Sequence, residues 1–285
     1  MIKTSRQLKD KIKLLSNGDS NISQMYLRNY FMERFLERIS VSEYCENFVL
    51  KGGMLVASLI GLQMRATMDI DTTVRALNLS AEDAERIVGE IIGIDVDDGV
   101  SFEFKSIDTI MEEHEYTGVR ILLNAAFDNI RQPIKMDIST GDVITPSAIN
   151  YNYTLMFEDR SIGIYTYNVE TLLAEKLETV LARGLANTRL RDFYDIYTLK
   201  NTEQDINNLT LYNAYVATSK KRNTLHLTEQ ATTTLNMIKQ STDMKKLWEQ
   251  YCNKNKFVGM LEWDTVIDEI IEIFDYLLQE HTVKI

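Results

Sequence analysis

The sequence has few of the residues that interrupt regular structure. It contains only two prolines and twelve glycines among 285 residues. Proline breaks helices and glycine weakens them, so their scarcity predicts a helix-rich fold. The apolar fraction of 45% and the charged fraction of 26% are ordinary for a folded domain. They exclude extensive disorder.

Cysteines and long apolar runs are also scarce. The two cysteines, Cys45 and Cys252, lie far apart in the sequence and match no metal-binding spacing. They are typical of free thiols in a reducing compartment. No apolar run approaches the length of a membrane-spanning helix, and residues 1–15 lack the unbroken apolar core of a signal peptide. We therefore predict a soluble, cytoplasmic protein with no membrane partner.

The net charge of −11 excludes a protein that simply coats nucleic acid. The charge is uneven, however, because residues 200–256 contain nine Lys/Arg and five Asp/Glu. An acidic first half fits a metal site, and a mildly basic later segment fits an anionic partner. Solvated helix faces would give the same balance.

Hydrophobic spacing predicts an α+β half followed by a helical half. Helices are predicted over residues 4–15, 22–39 and 54–62 and after the cap signal at Ser80. Strands are predicted over 48–50, 68–74, 100–107, 117–127, 133–139, 152–157 and 162–166. From Val169 onward the pattern is helical. We predict two domains, residues 1–165 and 166–285.

Two aspartates in the strand predicted over 68–74 are the first candidates for metal binding. Side chains alternate along a strand, so Asp69 and Asp71 share one face about 7 Å apart. Carboxylates this close repel each other, and a hard divalent cation such as Mg²⁺ relieves the repulsion. A solvated edge strand with two surface aspartates is the alternative.

Two neighbouring features strengthen the metal hypothesis. Gly52 and Gly53 follow a strand and open a helix, which exposes backbone N–H groups suited to phosphate, although an ordinary glycine turn would look the same. Asp137 projects from the opposite face of its strand to the apolar residues. It would supply the third carboxylate of a two-metal site. Asp142, in the following turn, is predicted to cap that turn.

The helical half offers a buried lysine and a nearby acid. Lys176 falls inside an apolar helical stripe and needs an anionic partner there. A triphosphate would serve, and so would a structural acid, or the lysine could extend to the surface. Asp192 lies at the edge of the next apolar face and is the better site candidate, with Arg189 or Arg191 as its alternative partner. Asp195 is predicted to point further toward solvent.

At these residues the sequence resembles the AbiEii/AbiGii toxin family of nucleotidyltransferases from abortive-infection toxin–antitoxin systems. The resemblance covers about residues 10–200. It rests on the segment 48–55, on Arg65-x-Thr67-x-Asp69-x-Asp71, on Lys135-x-Asp137 through Asp142, on Glu170 through Lys176 to Arg183, and on Arg189-x-Arg191-Asp192 through Asp195.

The resemblance implies a fold similar to DNA polymerase β-type nucleotidyltransferases: a domain with a mixed sheet, followed by a helical domain that completes the active site. It assigns Asp69 and Asp71 to Mg²⁺, with Mn²⁺ as the alternative ion, Lys176 to the triphosphate and Asp192 to a fourth family motif. Related toxins add nucleotides to the acceptor end of tRNA, blocking translation as a phage defence, and a cognate antitoxin is encoded alongside. The family's first motif often reads Gly-Ser, whereas Gly52-Gly53 leaves only backbone N–H donors.

We therefore expect a Mg²⁺-dependent transferase that moves a nucleoside monophosphate from an NTP to an RNA 3′ end. Modification of a protein side chain at the same site is an alternative, as is a non-catalytic partner-binding module. The predicted catalytic residues are Asp69, Asp71, Asp137, Lys176 and Asp192, of which Asp69, Asp71 and Asp137 bind metal. The predicted nucleotide-binding residues are Gly52, Gly53, Arg65, Thr67 and Lys176. The residues available for RNA are Lys220, Lys221, Arg222, Lys245 and Lys246.

Overall fold

The computed structural model describes residues 2–65, 67–77, 79–111, 117–202 and 205–284. Contacts group the chain into two compact units. The first comprises Met1–Ser58, Ala66–Asp142 and Ala148–Thr166, and the second comprises Leu59–Arg65, Val143–Ser147 and Tyr167–Ile285. Two short segments of the predicted first domain thus belong to the second unit. The domain boundary between residues 165 and 166 stays a prediction.

The first unit contains a seven-stranded mixed sheet. Its spatial order is β3-β4-β5-β2-β1-β7-β6. The neighbours β1/β7 and β2/β5 are parallel, and the other neighbouring pairs are antiparallel. The strands are β1 (Phe48–Lys51), β2 (Ile70–Val74), β3 (Ser101–Met111), β4 (Thr117–Phe127), β5 (Ile130–Thr140), β6 (Ile149–Thr154) and β7 (Ser161–Thr166). This mixed sheet with helices confirms the predicted α+β class.

Local capping signals set the starts of three helices in this unit. The side chains of Thr4, Asp19 and Ser80 accept hydrogen bonds from backbone N–H groups of the first helical turn. Such caps satisfy donors that have no partner within the helix. The helices are α1 (Ser5–Ser16), α2 (Ser20–Val41) and α4 (Ala81–Ile92), and α3 (Gly52–Ile60) follows β1 directly.

Helix α2 is buried on its polar side as well as its apolar side. Tyr30 and Phe35 lie in the core, but Glu33 and Arg38 are buried too. The Glu33 carboxylate accepts the Met156 N–H at 3.0 Å. The Arg38 guanidinium holds both carboxylate oxygens of Asp98, at 2.8 and 2.9 Å. Buried polar and charged groups need such partners, and here the partners tie α2 to chain segments more than 50 residues away.

The second unit is helical, as predicted from Val169 onward. Its core includes Phe193, Trp248 and Trp263, whose rings meet at centroid distances of 5.2 and 5.8 Å. None of the helices in the described part of the chain combines the length and the apolar character needed to cross a bilayer. The helices are α5 (Val169–Arg183), α6 (Leu190–Asn201), α7 (Asn208–Lys221), α8 (Ala231–Gln240), α9 (Thr242–Lys254) and α10 (Trp263–Lys284).

Candidate functional site

The structure brings together the three carboxylates that the sequence predicts as metal ligands. Strands β2 and β5 are parallel neighbours, and their register places Asp71 beside Asp137. Asp69 immediately precedes β2. One carboxylate oxygen from each of the three residues lies within 4.8 Å of the others. Within the described ranges, this is the one place where three potential metal ligands lie so close. We call these residues the acidic triad.

The electrostatics of the acidic triad favour a cation. Burial raises the pKa of the Asp71 carboxyl above its ordinary value, and the neighbouring Asp69 carboxylate raises it further. Both effects disfavour negative charge at Asp71, and a divalent ion would offset both. Three carboxylates form a hard oxygen donor set of the kind that suits Mg²⁺ or Mn²⁺. The residues present therefore fit the ion that the family resemblance implies.

Gly52 and Gly53, which we call the glycine turn, lie close to the Asp71 carboxylate. This approach requires a glycine at position 52. The φ of +63° at Gly52 lies in the left-handed region, and a Cβ at this position would fall 2.2 Å from Asp71 Oδ2. The Gly53 N–H donates to the same oxygen at 3.3 Å. In this structure the turn therefore supports a carboxylate, and its predicted phosphate contact stays a prediction.

Two basic residues face the acidic triad. The Arg120 guanidinium donates to both oxygens of Asp137 at 2.8 Å. The Lys135 ammonium lies 2.6 Å from Asp69 Oδ2 and 3.6 Å from Asp137 Oδ2. Sequence reasoning assigned neither residue a role. An arginine inside a largely apolar strand is a signal, but its partner follows only from the β4/β5 register, which sets Arg120 opposite Asp137.

Asp142 forms an ion pair that the sequence did not predict. Its Oδ2 lies 2.6 Å from Lys51 Nζ and accepts from the Ser139 hydroxyl at 2.5 Å. Burial alone would raise the pKa of the Asp142 carboxyl, but the Lys51 ammonium and these hydrogen bonds hold it below its ordinary value. The pair joins the residue before the glycine turn to the chain that leaves β5.

Thr67 is buried, and its hydroxyl donates to the Asp69 carbonyl at 3.2 Å. This bond orders the backbone immediately before β2, where Asp69 must be presented. The side chain thus has an intramolecular role, and nucleotide binding by Thr67 stays a prediction.

The second unit holds a buried charge cluster. Lys176 Nζ lies 2.9 Å from Asp192 Oδ1 and 2.7 Å from Asp195 Oδ2. Arg65 holds Asp195 through two bonds, Nε to Oδ1 at 3.0 Å and Nη2 to Oδ2 at 3.1 Å. Lys176 is buried, as predicted, and structural acids supply its partners. Arg189 Nε also lies 2.9 Å from Asp192 Oδ2. Pairing with Arg189 or Arg191 was the alternative to a site role for Asp192.

The prediction that Asp195 points toward solvent is wrong, because its exposed fraction is 0%. Burial alone would raise the pKa of this carboxyl, but Lys176 and Arg65 lower it to about 2. Burial likewise would lower the pKa of Lys176, and its two carboxylate partners raise it above the ordinary value. Asp195, Lys176 and Arg65 are therefore ionised at neutral pH. The predicted roles of Lys176, Asp192 and Arg65 toward a nucleotide stay predictions.

Only part of the predicted RNA-binding set lies exposed on the surface. Lys220, Lys221 and Lys246 are exposed. Arg222 instead turns inward and donates to Glu178 at 2.5 Å. Lys245 pairs with an aspartate of α10 at 3.0 Å. A buried acid thus holds Arg222 in this structure, and RNA binding by the five residues stays a prediction.

A comparison of the sequence with protein families matches the profile described as nucleotidyl transferase AbiEii toxin, type IV toxin–antitoxin system, over residues 34–269. The chain belongs to this AbiEii family. The expectation drawn from the sequence motifs is therefore confirmed at the level of a nucleotidyltransferase toxin. Membership in such a system implies an antitoxin partner and a nucleotide substrate. Among curated proteins, none matches this sequence.

Solved structures resemble the chain at low sequence identity. JHP933 from Helicobacter pylori aligns with a TM-score of 0.50 and 15% identity, covering 92% of this chain and 97% of that chain. A candidate nucleotidyltransferase from H. pylori gives 0.48 and 16%, with 90% and 96% covered. An antigenic nucleotidyltransferase-like protein from Paracoccidioides brasiliensis gives 0.37 and 14%, with 78% and 92% covered. Of these three, JHP933 has the highest TM-score, and the similarity in fold is judged from that structure.

Proposed function

We propose that this AbiEii-family protein transfers a nucleoside monophosphate from an NTP to the 3′ end of an RNA, with tRNA as the favoured acceptor, and releases pyrophosphate. Modified tRNA would be unable to support translation, which accounts for toxicity. The observation that carries the proposal is the acidic triad, in which two adjacent parallel strands present three carboxylates to one point. We place the reaction in the cytoplasm, where both substrates occur.

Asp69, Asp71 and Asp137 would hold Mg²⁺ or Mn²⁺. When bound there, such an ion supplies positive charge that stabilises the negative charge developing on the transferred phosphoryl group. Arg120 does not prevent Asp137 from acting as a ligand. Each carboxylate oxygen carries two lone pairs, so Asp137 can accept from Arg120 and still offer an oxygen. The bidentate contact instead fixes the orientation of the carboxylate.

The other proposed site residues have intramolecular partners in this structure. Lys176 would contact the β- and γ-phosphates by exchanging one of its carboxylates for a phosphate oxygen, and Asp192 would direct its ammonium. The N–H groups of Gly52 and Gly53, with Arg65 and Thr67, would contribute to nucleotide binding. These assignments follow the family resemblance of the sequence, and all of these residues lie within the segment that matches the family, 34–269.

The direct test incubates purified protein and Mg²⁺ with total tRNA and each labelled NTP in turn. We expect label from one or more NTPs to appear at the tRNA 3′ end. Asp69→Ala, Asp71→Ala and Lys176→Ala should each abolish labelling without loss of fold, as judged by circular dichroism. Asp10→Asn, on the exposed face of α1, removes one negative charge from the same unit and should label normally. Retained transfer in purified Asp69→Ala protein would refute the mechanism.

The same experiment separates the alternatives. Label that appears in protein instead of tRNA would show nucleotidylation of a side chain. Growth arrest that Asp71→Ala leaves undiminished would show that toxicity does not depend on the acidic triad, as expected of a non-catalytic binding module.

A further inference from the structure

Lys135 sits at the acidic triad in the way a bound cation would. Its ammonium lies 2.6 Å from Asp69 Oδ2 and 3.6 Å from Asp137 Oδ2. It projects from β5 two residues before Asp137, so both side chains share one face of the strand. The Lys135 side chain is 30% exposed, whereas Asp69 and Asp137 are 18% and 17% exposed. The charge of the triad is thus partly neutralised by a side chain that solvent reaches.

Besides Arg120 and Lys135, which face the triad, Lys51 lies opposite Asp71 in the β1/β2 register, and the three cations are held differently. Arg120 is fixed to Asp137 by two parallel bonds. Lys51 is engaged by Asp142 at 2.6 Å. Lys135 makes its short contact with Asp69 through one nitrogen on a flexible four-carbon stem, which can swing away without breaking a bidentate pair. Among the three, Lys135 is the cation that can leave the triad at the smallest cost.

A divalent ion and the Lys135 ammonium cannot both occupy this position. Mg²⁺ requires ligand oxygens at about 2.0–2.1 Å and a near-octahedral arrangement. The Lys135 ammonium lies near two of the three prospective ligands, 2.6 Å from Asp69 Oδ2 and 3.6 Å from Asp137 Oδ2, so it takes up space where the ion would sit, and its positive charge repels the incoming ion. Binding of the ion to Asp69 therefore requires Lys135 to move.

We propose that Lys135 is an internal counter-ion that competes with the divalent metal for Asp69, and that it moves to a phosphate oxygen when metal and NTP bind together. The inference rests on the proposed function, since it takes the triad as the metal site. In metal-free protein the ammonium limits repulsion among the three carboxylates. Once displaced, it stays within reach of the site, where the triphosphate provides new anionic oxygens. Lys135 thus opposes binding of the metal alone and supports binding of the metal–nucleotide complex.

The test compares Mn²⁺ binding, without nucleotide, in wild-type protein, Lys135→Met and Lys135→Arg, by titration calorimetry and by loss of the free-ion paramagnetic resonance signal. Loss of a partly exposed ion pair of this kind should tighten Mn²⁺ binding by about two- to fivefold in Lys135→Met. Lys135→Arg keeps the charge and should bind Mn²⁺ no more tightly than wild type. Lys9→Met removes a charge from an exposed position on α1 and should leave the affinity unchanged.

A second arm measures binding of each NTP in the presence of saturating Mn²⁺. Here Lys135→Met should bind the nucleotide several-fold more weakly than wild type, which reverses the sign of the first effect. Equal Mn²⁺ affinity in wild type and Lys135→Met, or no Mn²⁺ binding in either, would refute the proposal that Lys135 competes with the metal for Asp69. Tighter Mn²⁺ binding with unchanged NTP affinity would overturn the move to phosphate.

These outcomes are separable from failure of the proposed function. Tighter Mn²⁺ binding together with the reversed NTP effect, in a protein that labels no RNA, would support the role of Lys135 and refute the RNA acceptor. Normal RNA labelling, with identical Mn²⁺ affinities in wild type and Lys135→Met, would support the RNA acceptor and refute the role of Lys135. The melting temperature of each variant without metal verifies that it is folded.

Discussion

Substitution of Gly52 by alanine should weaken metal binding at the acidic triad. The new Cβ would lie 2.2 Å from Asp71 Oδ2 and 2.7 Å from Asp71 Cβ and Cγ. Rotating the Asp71 side chain would relieve the contacts to Oδ2 and Cγ, but Asp71 Cβ is fixed by the backbone of β2. The glycine turn or the strand must therefore move as well. Asp71 would be displaced by roughly 1 Å, several times the tolerance of about 0.2 Å in a metal–ligand distance.

Two contributions to the cost in stability can be separated by a matched variant. Gly18 has a φ of +82°, and no atom lies within 4 Å of the position that a Cβ would take there, so Gly18→Ala carries only the backbone cost. A non-glycine residue in the left-handed region costs roughly 1–2 kcal/mol. Overpacking adds about 1–3 kcal/mol. We therefore expect Gly18→Ala to lose about 1–2 kcal/mol of unfolding free energy, and Gly52→Ala to lose about 2–5 kcal/mol.

The assays are urea unfolding for stability and Mn²⁺ binding for the site. Gly18→Ala should bind Mn²⁺ like wild type, whereas folded Gly52→Ala should bind it at least tenfold more weakly, on the order of a lost ligand. Wild-type Mn²⁺ affinity in Gly52→Ala would refute the claim that the glycine turn sets the position of Asp71.

Other predictions concern the buried charges. Asp195→Ala leaves the Arg65 and Lys176 cations without their shared carboxylate, so urea unfolding should show a loss of about 3–5 kcal/mol in stability. A loss below about 1 kcal/mol would contradict the buried position of the Asp195 carboxylate. The pKa of Asp195 in the folded state is depressed to about 2, so its ionised carboxylate stabilises the fold above about pH 4. This contribution to the unfolding free energy, about 2 kcal/mol, should be lost as the pH falls from about 4 through about 2. Burial raises the pKa of Glu33 to about 7, although the Met156 N–H and other hydrogen bonds oppose the shift. The folded state therefore retains a proton that the unfolded state loses, so unfolding free energy should fall by about 3 kcal/mol between pH 4.5 and 7, and Glu33→Gln should abolish that slope.

Much of the fold was predictable because its signals are local. The cap at Ser80, the helical spacing of α1 and α2 and the alternation along β4 and β5 each depend on residues within a few positions of one another. The predicted strand at 152–157 was displaced, since β6 runs over Ile149–Thr154. Its register is set by pairing with β7, and turn residues specify it weakly.

The candidate site was likewise predictable only where its signals are local. Strand alternation predicted Asp69 and Asp71 on one face, and Asp137 opposite its apolar neighbours. The three carboxylates do lie together, although Asp69 lies just before β2 and not within it. The inward position of Lys176 also followed from helical projection. What covers the far side of a helix does not follow from projection, however. Asp195 was assigned to solvent for that reason, although Arg65, 130 residues away, buries it.

The sequence by itself therefore determined the chemistry of the acidic triad, which is three aspartates beside a glycine turn, and the inward position of Lys176 in the second unit. Its motifs also indicated the family. Only the tertiary structure decided which charge meets which. The β4/β5 register sets Arg120 against Asp137, and β5 beside β2 brings Lys135 to Asp69. The physical reason is that periodicity fixes the direction of a side chain within its own element, whereas an ion pair depends on two elements and on the register between them.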